Sequence, residues 1–259
     1  MTTEAAESAS EMIPTEVLNE VLTAALGGGA EFAEVFAEDV SRGSVHLDDG
    51  RIESLASGRD RGAGIRVVAG ESTGFAHTAD LSRRGLLAAA SAAADAARQS
   101  ASGEARSVAL DQTPTKPGPV EVRPAGIDKA TKVELLQRVD EVARSRDAAI
   151  SQVSARYADN RRRILVANSD GILSGDDQTR TLFSVNCVAS GDAGLQTGSE
   201  SIGLSIGWEL FDRYDVEELA RRAAERALTK LGARPAPSGT LPVVIGPGSG
   251  GVLFHEACG

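Results

Sequence analysis

The fold is decided by residues 32–77, FAEVFAEDVSRGSVHLDDGRIESLASGRDRGAGIRVVAGESTGFAH, in which apolar and polar side chains alternate. A period of two is typical of strands that bury one face of a sheet. Asp49-Gly50 is a two-residue hairpin signal, and Gly70-Glu71 predicts a second turn. The pattern therefore predicts an antiparallel sheet, with short strands over residues 32–40, 44–47, 51–56, 64–69 and 73–77.

Helical patterns flank this predicted sheet. Val17, Leu18, Val21 and Leu22 fall on one stripe of a helix that starts near residue 14, and the glycines at 27–29 end it. The Ala-rich run over residues 81–99 is long enough for a second helix that covers the sheet. Residues 14–100 are therefore predicted to form an α+β module, preceded by a disordered tail over residues 1–13.

A second module is predicted after a linker. Residues 101–126 are rich in Ser, Pro, Thr and Gly, which is typical of a linker. A helical period over residues 128–149 precedes alternating strands over 150–211 and a helix over 216–231, with Asp215 at its start and Gly232 at its end. The fold class is thus α+β, with two modules of antiparallel sheet and covering helices at 14–100 and 127–233.

Composition and charge exclude several classes of protein. The net charge of −10 lies in residues 1–50, which carry eleven acidic residues and one arginine, and the remainder is neutral. There is no basic surface pattern for nucleic acid or an anionic membrane, and no signal peptide or membrane-spanning run. Cys187 and Cys258 give no disulfide framework, and Cys258 is assigned to packing. A cytoplasmic protein is expected.

The last stretch, residues 241–259 or LPVVIGPGSGGVLFHEACG, predicts a buried strand, a glycine loop and a buried helix. Glycines at 246, 248 and 251 satisfy G-x-G-x-x-G, the spacing that brings backbone N–H groups to a pyrophosphate. His255-Glu256 is instead typical of zinc hydrolases, in which imidazole binds the metal and the carboxylate accepts a proton from bound water. A tight connection whose glycines serve only packing is the third interpretation.

Residues 246–259 resemble the start of the H-E-x-x-x-H zinc motif of the TldD/PmbA family of metallopeptidases, which a glycine loop precedes. Three further segments resemble family segments in the same order: GAGIRVVAG at 62–70, TGFAHTADL at 73–81 and QTG at 196–198. The resemblance runs from about residue 31 to the last residue. It departs from the motif at one point, since the second His would be the residue after Gly259.

The resemblance implies a TldD-type zinc metallopeptidase that hydrolyses short or unfolded peptides. It makes His255 the first zinc ligand and Glu256 the general base, with the second His and a distant Cys as the remaining ligands. It also implies a related TldD/PmbA-family subunit as partner, in a hetero- or homo-oligomer. Residues 240–259 are then the start of a truncated catalytic domain, and the chain is expected to be a fragment that is inactive alone.

Two alternatives remain open at this point. The first is a dinucleotide-binding module that uses Gly246, Gly248 and Gly251, although Pro247 inside the loop is unfavourable for it. The second is a non-catalytic assembly subunit, against which the His255-Glu256 pair argues.

The remaining histidines, the paired carboxylates and the arginine run are interpreted as structural and not as functional residues. His46 and His77 are predicted to be exposed or hydrogen-bonded residues of strands. The adjacent carboxylates at 48–49 and 176–177 are predicted to lie in turns and are assigned no function. The basic run at 161–163 is predicted to be a solvated strand or turn edge.

Overall fold

The structure is a computed structural model that describes residues 12–97, 108–113, 118, 120–192 and 194–259. The helices of this part of the chain are α1 Thr15–Ala25, α2 Arg83–Ala97, α3 Lys129–Arg144, α4 Leu210–Arg213, α5 Val216–Leu231 and α6 Ser249–Cys258, with a 3₁₀ turn at Pro124–Gly126. None of them is long and apolar enough to cross a membrane. The strands are β1 Phe32–Asp48, β2 Arg51–Ala69, β3 Ser72–Thr78, β4 Asp111–Thr113, β5 Ile150–Asn168, β6 Ile172–Gly191 and β7 Gly194–Leu204.

These strands form one sheet in the order β3-β2-β1-β5-β6-β4, and β7 pairs with another part of β6. All pairs among these strands are antiparallel except the short one between β4 and β6. The predicted α+β class is confirmed. The predicted linker at 101–126 contains β4 and the 3₁₀ turn, whereas its residues 101–107, 114–117 and 119 lie outside the described residues.

Two long strands replace four of the predicted short ones. β1 has 17 residues and β2 has 19, and the turn between them places Asp49 at a φ of 47° and Gly50 at 76°. Positive φ at both residues is the requirement of a type I′ hairpin, which Asp-Gly meets. The predicted breaks at residues 41–43 and 57–63 are wrong, because the β1–β2 ladder continues through both. Pairing with neighbouring strands thus outweighs the weak strand propensity of Gly and Ser.

The two halves of the chain share one arrangement of elements. Each consists of a helix, a three-stranded antiparallel meander and a covering helix: α1-β1-β2-β3-α2 in the first half, and α3-β5-β6-β7-α5 in the second. The first strands of the two meanders, β1 and β5, pair from Glu34–Asn168 to Asp48–Ser154. This pairing makes the strands of both halves one continuous sheet.

Helices cover one face of the sheet as two separate layers, and the opposite face is termed the open face. The first core lies under α1 and α2, where Leu22, Ile65 and Leu86 are fully buried. Ile13 is also buried in it, whereas residues 1–11 of the predicted tail lie outside the described residues. The second core lies under α3 and α5 and is built around Phe183 and other residues of β5 and β6.

In each half, a covering helix packs close to the sheet at a glycine of the last strand of the meander. A Cβ placed on Gly74 of β3 would lie 1.9 Å from the carbonyl oxygen of Ala93 in α2. A Cβ on Gly198 of β7 would lie 2.1 Å from the carbonyl oxygen of Ala223 in α5. The buried faces of both helices are rich in alanine, so helix and strand backbones pack directly on each other.

A band of charged residues separates the two cores on the helix-bearing face. Asp39 is 5% exposed and accepts hydrogen bonds from Arg59 at 2.8 Å and Arg163 at 2.5 Å. The Arg59 bond, with a further contribution from Arg163, outweighs burial and lowers the pKa of Asp39 to about 2. Asp177 is also buried, which by itself raises its pKa. The hydrogen bond from Arg161 at 2.8 Å and the positive charges of Arg161 and Arg123 together outweigh that burial, so its pKa is lowered too.

This band corrects two sequence predictions. Residues 161–163 lie in the central strand β5 and do not form a solvated edge: Arg161 and Arg163 face the helices, and Arg162 bonds Glu38 on the open face at 2.8 Å. Residues 176–177 lie within β6 and not in a turn. Both errors arise because a run of charged residues in a central strand is stable only when cross-strand partners neutralise it.

Substitution of the close-approach glycines tests this packing. Gly74→Ala and Gly198→Ala are each expected to lower the free energy of unfolding by about 1–3 kcal/mol, because the added methyl group meets a helix backbone. Gly58→Ala is the matched control, since a Cβ there has nothing within 4 Å. Denaturant unfolding followed by circular dichroism measures the difference. Equal stability of all three variants would contradict the packing described.

The carboxylate of Asp39 should contribute to stability in a pH-dependent way. Its folded pKa of about 2 lies below the unfolded value of about 3.9, so its contribution is present above about pH 4 and is lost as the pH falls towards 2. Asp39→Asn is therefore expected to cost about 2–3 kcal/mol of unfolding free energy at pH 7. Unfolding measured between pH 7 and pH 3 should show this cost shrinking below pH 4.

Asp60→Asn is the control, because Asp60 pairs with Arg42 at 2.9 Å and its side chain is 83% exposed. An effect within about 0.5 kcal/mol is expected there. A cost for Asp39→Asn that stays constant down to pH 3 would contradict the assignment.

Candidate metal centre

The predicted site residues lie on α6, the last helix. Gly248 precedes this helix at a φ of 93°, a left-handed conformation that glycine adopts without strain. The chain can therefore turn sharply into the helix at Ser249. His255 and Glu256 follow in its last turns, as the sequence predicts.

The side chains of this helix are open to solvent. His255, Glu256 and Cys258 are all exposed, so the predicted packing of Cys258 is not seen among the described residues. The Gly259 N–H donates to the His255 carbonyl oxygen at 3.0 Å, and a Cβ on Gly259 would lie 3.3 Å from His255 Nδ1. Glycine at this position leaves room beside the imidazole ring.

The residues of α6 do not complete a zinc site. A catalytic zinc ion needs three protein ligands and an open position for water. His255 and Cys258 are three residues apart and share one side of the helix. Among the described residues, however, no group of three or more His, Cys, Asp or Glu is placed to hold a metal ion. No reaction step therefore follows from α6 by itself.

The segment before α6 does not form the predicted buried strand. Residues 241–245 are irregular, and Val243 is 80% and Val244 98% exposed. A β-branched run forms a strand only when a neighbouring strand supplies hydrogen bonds and side-chain contacts, and no described strand pairs with this one. The G-x-G-x-x-G interpretation requires a strand directly before the loop, so the geometry does not support it.

The apolar side of α6 is likewise uncovered. Val252, Leu253 and Phe254 are each more than half exposed, so the predicted burial of this helix is wrong within the described residues. A helix with this apolar pattern is buried only where another element covers these side chains.

The other two histidines lie in strands, as predicted. His46 in β1 shares a hydrogen bond with Ser154 of β5, and Nε2 and Oγ are 3.0 Å apart. The ring of His77 in β3 lies 6.3 Å from the ring of Phe75.

Sequence reasoning missed a polar cavity of about 480 Å³ on the open face, next to His46. Short polar residues occupy alternate positions of two strands there, namely Ser184 and Asn186 in β6 and Ser199 and Ser201 in β7. This alternation is the sequence signal from which the cavity could have been predicted. It is not sufficient, because the sequence does not show which positions of different strands lie side by side.

Comparison with known protein families gives two matches. Residues 33–97 match the PmbA/TldA metallopeptidase domain 1, and residues 123–231 match the PmbA/TldA metallopeptidase central domain. The two matches follow each other in the chain and together cover more than half of it.

Curated relatives extend the likeness to most of the chain. A metalloprotease of Methanothermobacter thermautotrophicus is 34% identical over 230 residues, 88% of this chain and 50% of that protein. A metalloprotease TldD homolog of Haemophilus influenzae is 30% identical over 235 residues, 88% of this chain and 49% of that one. A zinc metalloprotease TldD homolog of Saccharolobus solfataricus is 22% identical over 233 residues, 89% and 50% of the two chains. The chain spans about half the length of these relatives.

Solved structures share the fold. A crystal structure from Thermotoga maritima gives a TM-score of 0.70 at 17% identity and covers 86% of this chain and 50% of that one. TldE from Thermococcus kodakarensis gives a TM-score of 0.62 at 15% identity, with coverages of 82% and 47%.

Exposure of α6 leads to a prediction for the 259-residue chain. His255→Ala and Glu256→Gln are expected to change the free energy of unfolding by less than about 0.5 kcal/mol, as exposed substitutions usually do. After dialysis against trace zinc, the parent chain should retain far less than one zinc ion per chain, because three ligands are not brought together. Denaturant unfolding and elemental analysis measure the two outcomes. Stoichiometric zinc that His255→Ala abolishes would contradict this account.

Proposed function

Because this chain belongs to the PmbA/TldD metallopeptidase family, we propose that it is the N-terminal part of a TldD-type zinc metallopeptidase. The observation that carries the proposal is the His255-Glu256 pair on a helix that follows a glycine loop directly. This pair also favours an enzyme over a non-catalytic assembly subunit, which has no use for an exposed imidazole next to a carboxylate.

Each of the two residues has its own role in this proposal. His255 binds zinc through its exposed imidazole, and Glu256 accepts a proton from the attacking water. The remaining zinc ligands come from outside residues 1–259. When bound, zinc supplies Lewis acidity to the substrate carbonyl and lowers the pKa of its water.

The uncovered apolar side chains support a further domain that packs on α6. Leu253 and Phe254 are more than half exposed, and Val244 before the helix is 98% exposed. Side chains of this type are stable when another element removes them from water. We therefore assign residues 240–259 to the start of the catalytic domain.

The substrate and partner are also parts of the proposal. Short or unfolded peptides are bound in extended form, because an extended peptide can pair with a sheet edge such as β3 or β7. A related family subunit is the partner in a hetero- or homo-oligomer. The free Cys187 and Cys258 agree with a reducing, cytoplasmic location.

The test uses a protein of the relatives' length that contains this sequence. Glu256→Gln should keep about one zinc ion per chain and reduce hydrolysis of an unstructured peptide by at least ~10² to 10⁴, the usual contribution of a general base. Cys258→Ser is the matched control on the same helix and should keep both zinc and activity. Elemental analysis and a peptide-cleavage assay give the two readouts. Loss of zinc in Glu256→Gln would make Glu256 a ligand, and full activity would remove the proposal.

A further inference from the structure

The floor of the polar cavity is made by four neighbouring strands. His46 of β1, Arg156 of β5, Ser184 of β6 and Ser201 of β7 lie directly opposite one another in register. All four side chains therefore stand on the open face in one row. Opposite positions of adjacent antiparallel strands have Cβ atoms about 4.5–5.5 Å apart, so neighbouring side chains of this row can act on one ligand.

A second row completes the floor. Ser154 of β5, Asn186 of β6 and Ser199 of β7 are also opposite one another, two residues along the strands from the first row. The ring of His46 is held by the hydrogen bond to Ser154. Every floor position of both rows thus carries a hydrogen-bonding group.

Short side chains create the concavity. Ser and Asn lie where an exposed sheet face usually carries Thr, aromatic or longer residues, and Asn is depleted in strands. Their small size leaves a volume of about 480 Å³ above the sheet. Because β5 and β6 are paired on both sides in this region, the backbone that carries these donors is fixed before any ligand arrives. Binding at such a surface costs little ordering of the backbone.

Arg156 is a cation of the cavity that has no carboxylate partner among the described residues. Within the described residues, Arg156 makes no hydrogen bond or ion pair. The carboxylate in the lining, that of Glu200, is taken by Arg226 at 2.8 Å and Arg222 at 3.3 Å. The charge of Arg156 is therefore available to a ligand.

We propose that the polar cavity binds a small ligand through its oxyanion, either the terminal carboxylate of a short peptide or a phosphate group. The guanidinium of Arg156 presents a planar fork of donors that matches such oxygens. The hydroxyl of Ser184 and the amide of Asn186 supply further donors beside it. This site lies on the sheet and not on α6, needs no zinc, and goes beyond the proposed peptidase function.

Binding to the 259-residue chain is measured by isothermal titration with three probes. They are N-acetyl-dialanine with a free carboxylate, the same dipeptide as its C-terminal amide, and inorganic phosphate. We expect the free acid or phosphate to bind and the amide to bind at least about tenfold more weakly, because a charge-assisted bond is lost. Tighter binding of the acid identifies a peptide carboxylate, and tighter binding of phosphate identifies a phosphate-bearing ligand.

Variants locate the site. Arg156→Gln should weaken oxyanion binding about tenfold or more, and Ser184→Ala should weaken it a few-fold. Arg162→Gln is the matched control, because Arg162 lies on the same face of the same strand but bonds Glu38 away from the cavity. Denaturant unfolding confirms that the variants are folded.

Three results would each overturn the proposal. The first is no binding of either the acid or phosphate at millimolar concentration, and the second is binding of the amide as tight as that of the tighter-binding anion. The third is a loss of affinity in Arg162→Gln as large as in Arg156→Gln, which would indicate a general charge effect. Since hydrolysis enters none of these measurements, failure of this proposal is distinct from failure of the peptidase proposal.

Discussion

The antiparallel pairing of β1 with β5 is the interaction on which the rest of the structure depends. It joins two meanders, each with its own pair of helices, into one sheet. Its register decides which residues face the helices, because a slip by one position would turn every side chain of a strand to the other face. Val35 and Leu47 of β1 are fully buried at opposite ends of this ladder, one in each core. Burial of both fixes the register.

The same register assembles the charged band between the cores. Asp39 lies opposite Arg163, and Gly43 lies opposite Asp159. A Cβ on Gly43 would be 2.6 Å from Asp159 Oδ2, so the carboxylate occupies the space that glycine leaves. Asp159 in turn accepts a hydrogen bond from the buried Tyr157 hydroxyl at 2.7 Å. Burial raises the pKa of Tyr157, so the hydroxyl stays protonated and continues to donate. Polar groups this deep are tolerable because each has a partner.

The two faces of the sheet have different consequences for function. The helix-bearing face is covered by α1, α2, α3 and α5, and the two cores that stabilise the fold lie beneath them. The open face carries the polar cavity around Arg156, on a backbone that the strand ladder holds in place. The candidate metal residues His255 and Glu256 are exposed on α6, and neither belongs to a core of the sheet. Stability, the candidate oxyanion site and the candidate metal centre therefore rest on separate parts of the chain.

The sequence by itself determined the features that local physics controls. The Asp49-Gly50 hairpin, the α+β class, the Asp215 cap of α5 and the helix that carries His255 each follow from residues close together in the chain. The family resemblance of the last stretch was visible for the same reason, since its motif is contiguous.

Only the tertiary structure decided what depends on partners distant in sequence. The ladder between β1 and its neighbours keeps residues 41–43 extended, and hydrogen bonds to cross-strand aspartates hold Arg161 and Arg163 in the band between the two cores. The floor of the polar cavity combines residues of four strands, and the register of strand pairing sets which of them lie side by side. Residues 241–245 show the converse, because a β-branched run without a neighbouring strand stays irregular. Strand pairing is non-local, so neither its presence nor its absence can be derived from local pattern alone.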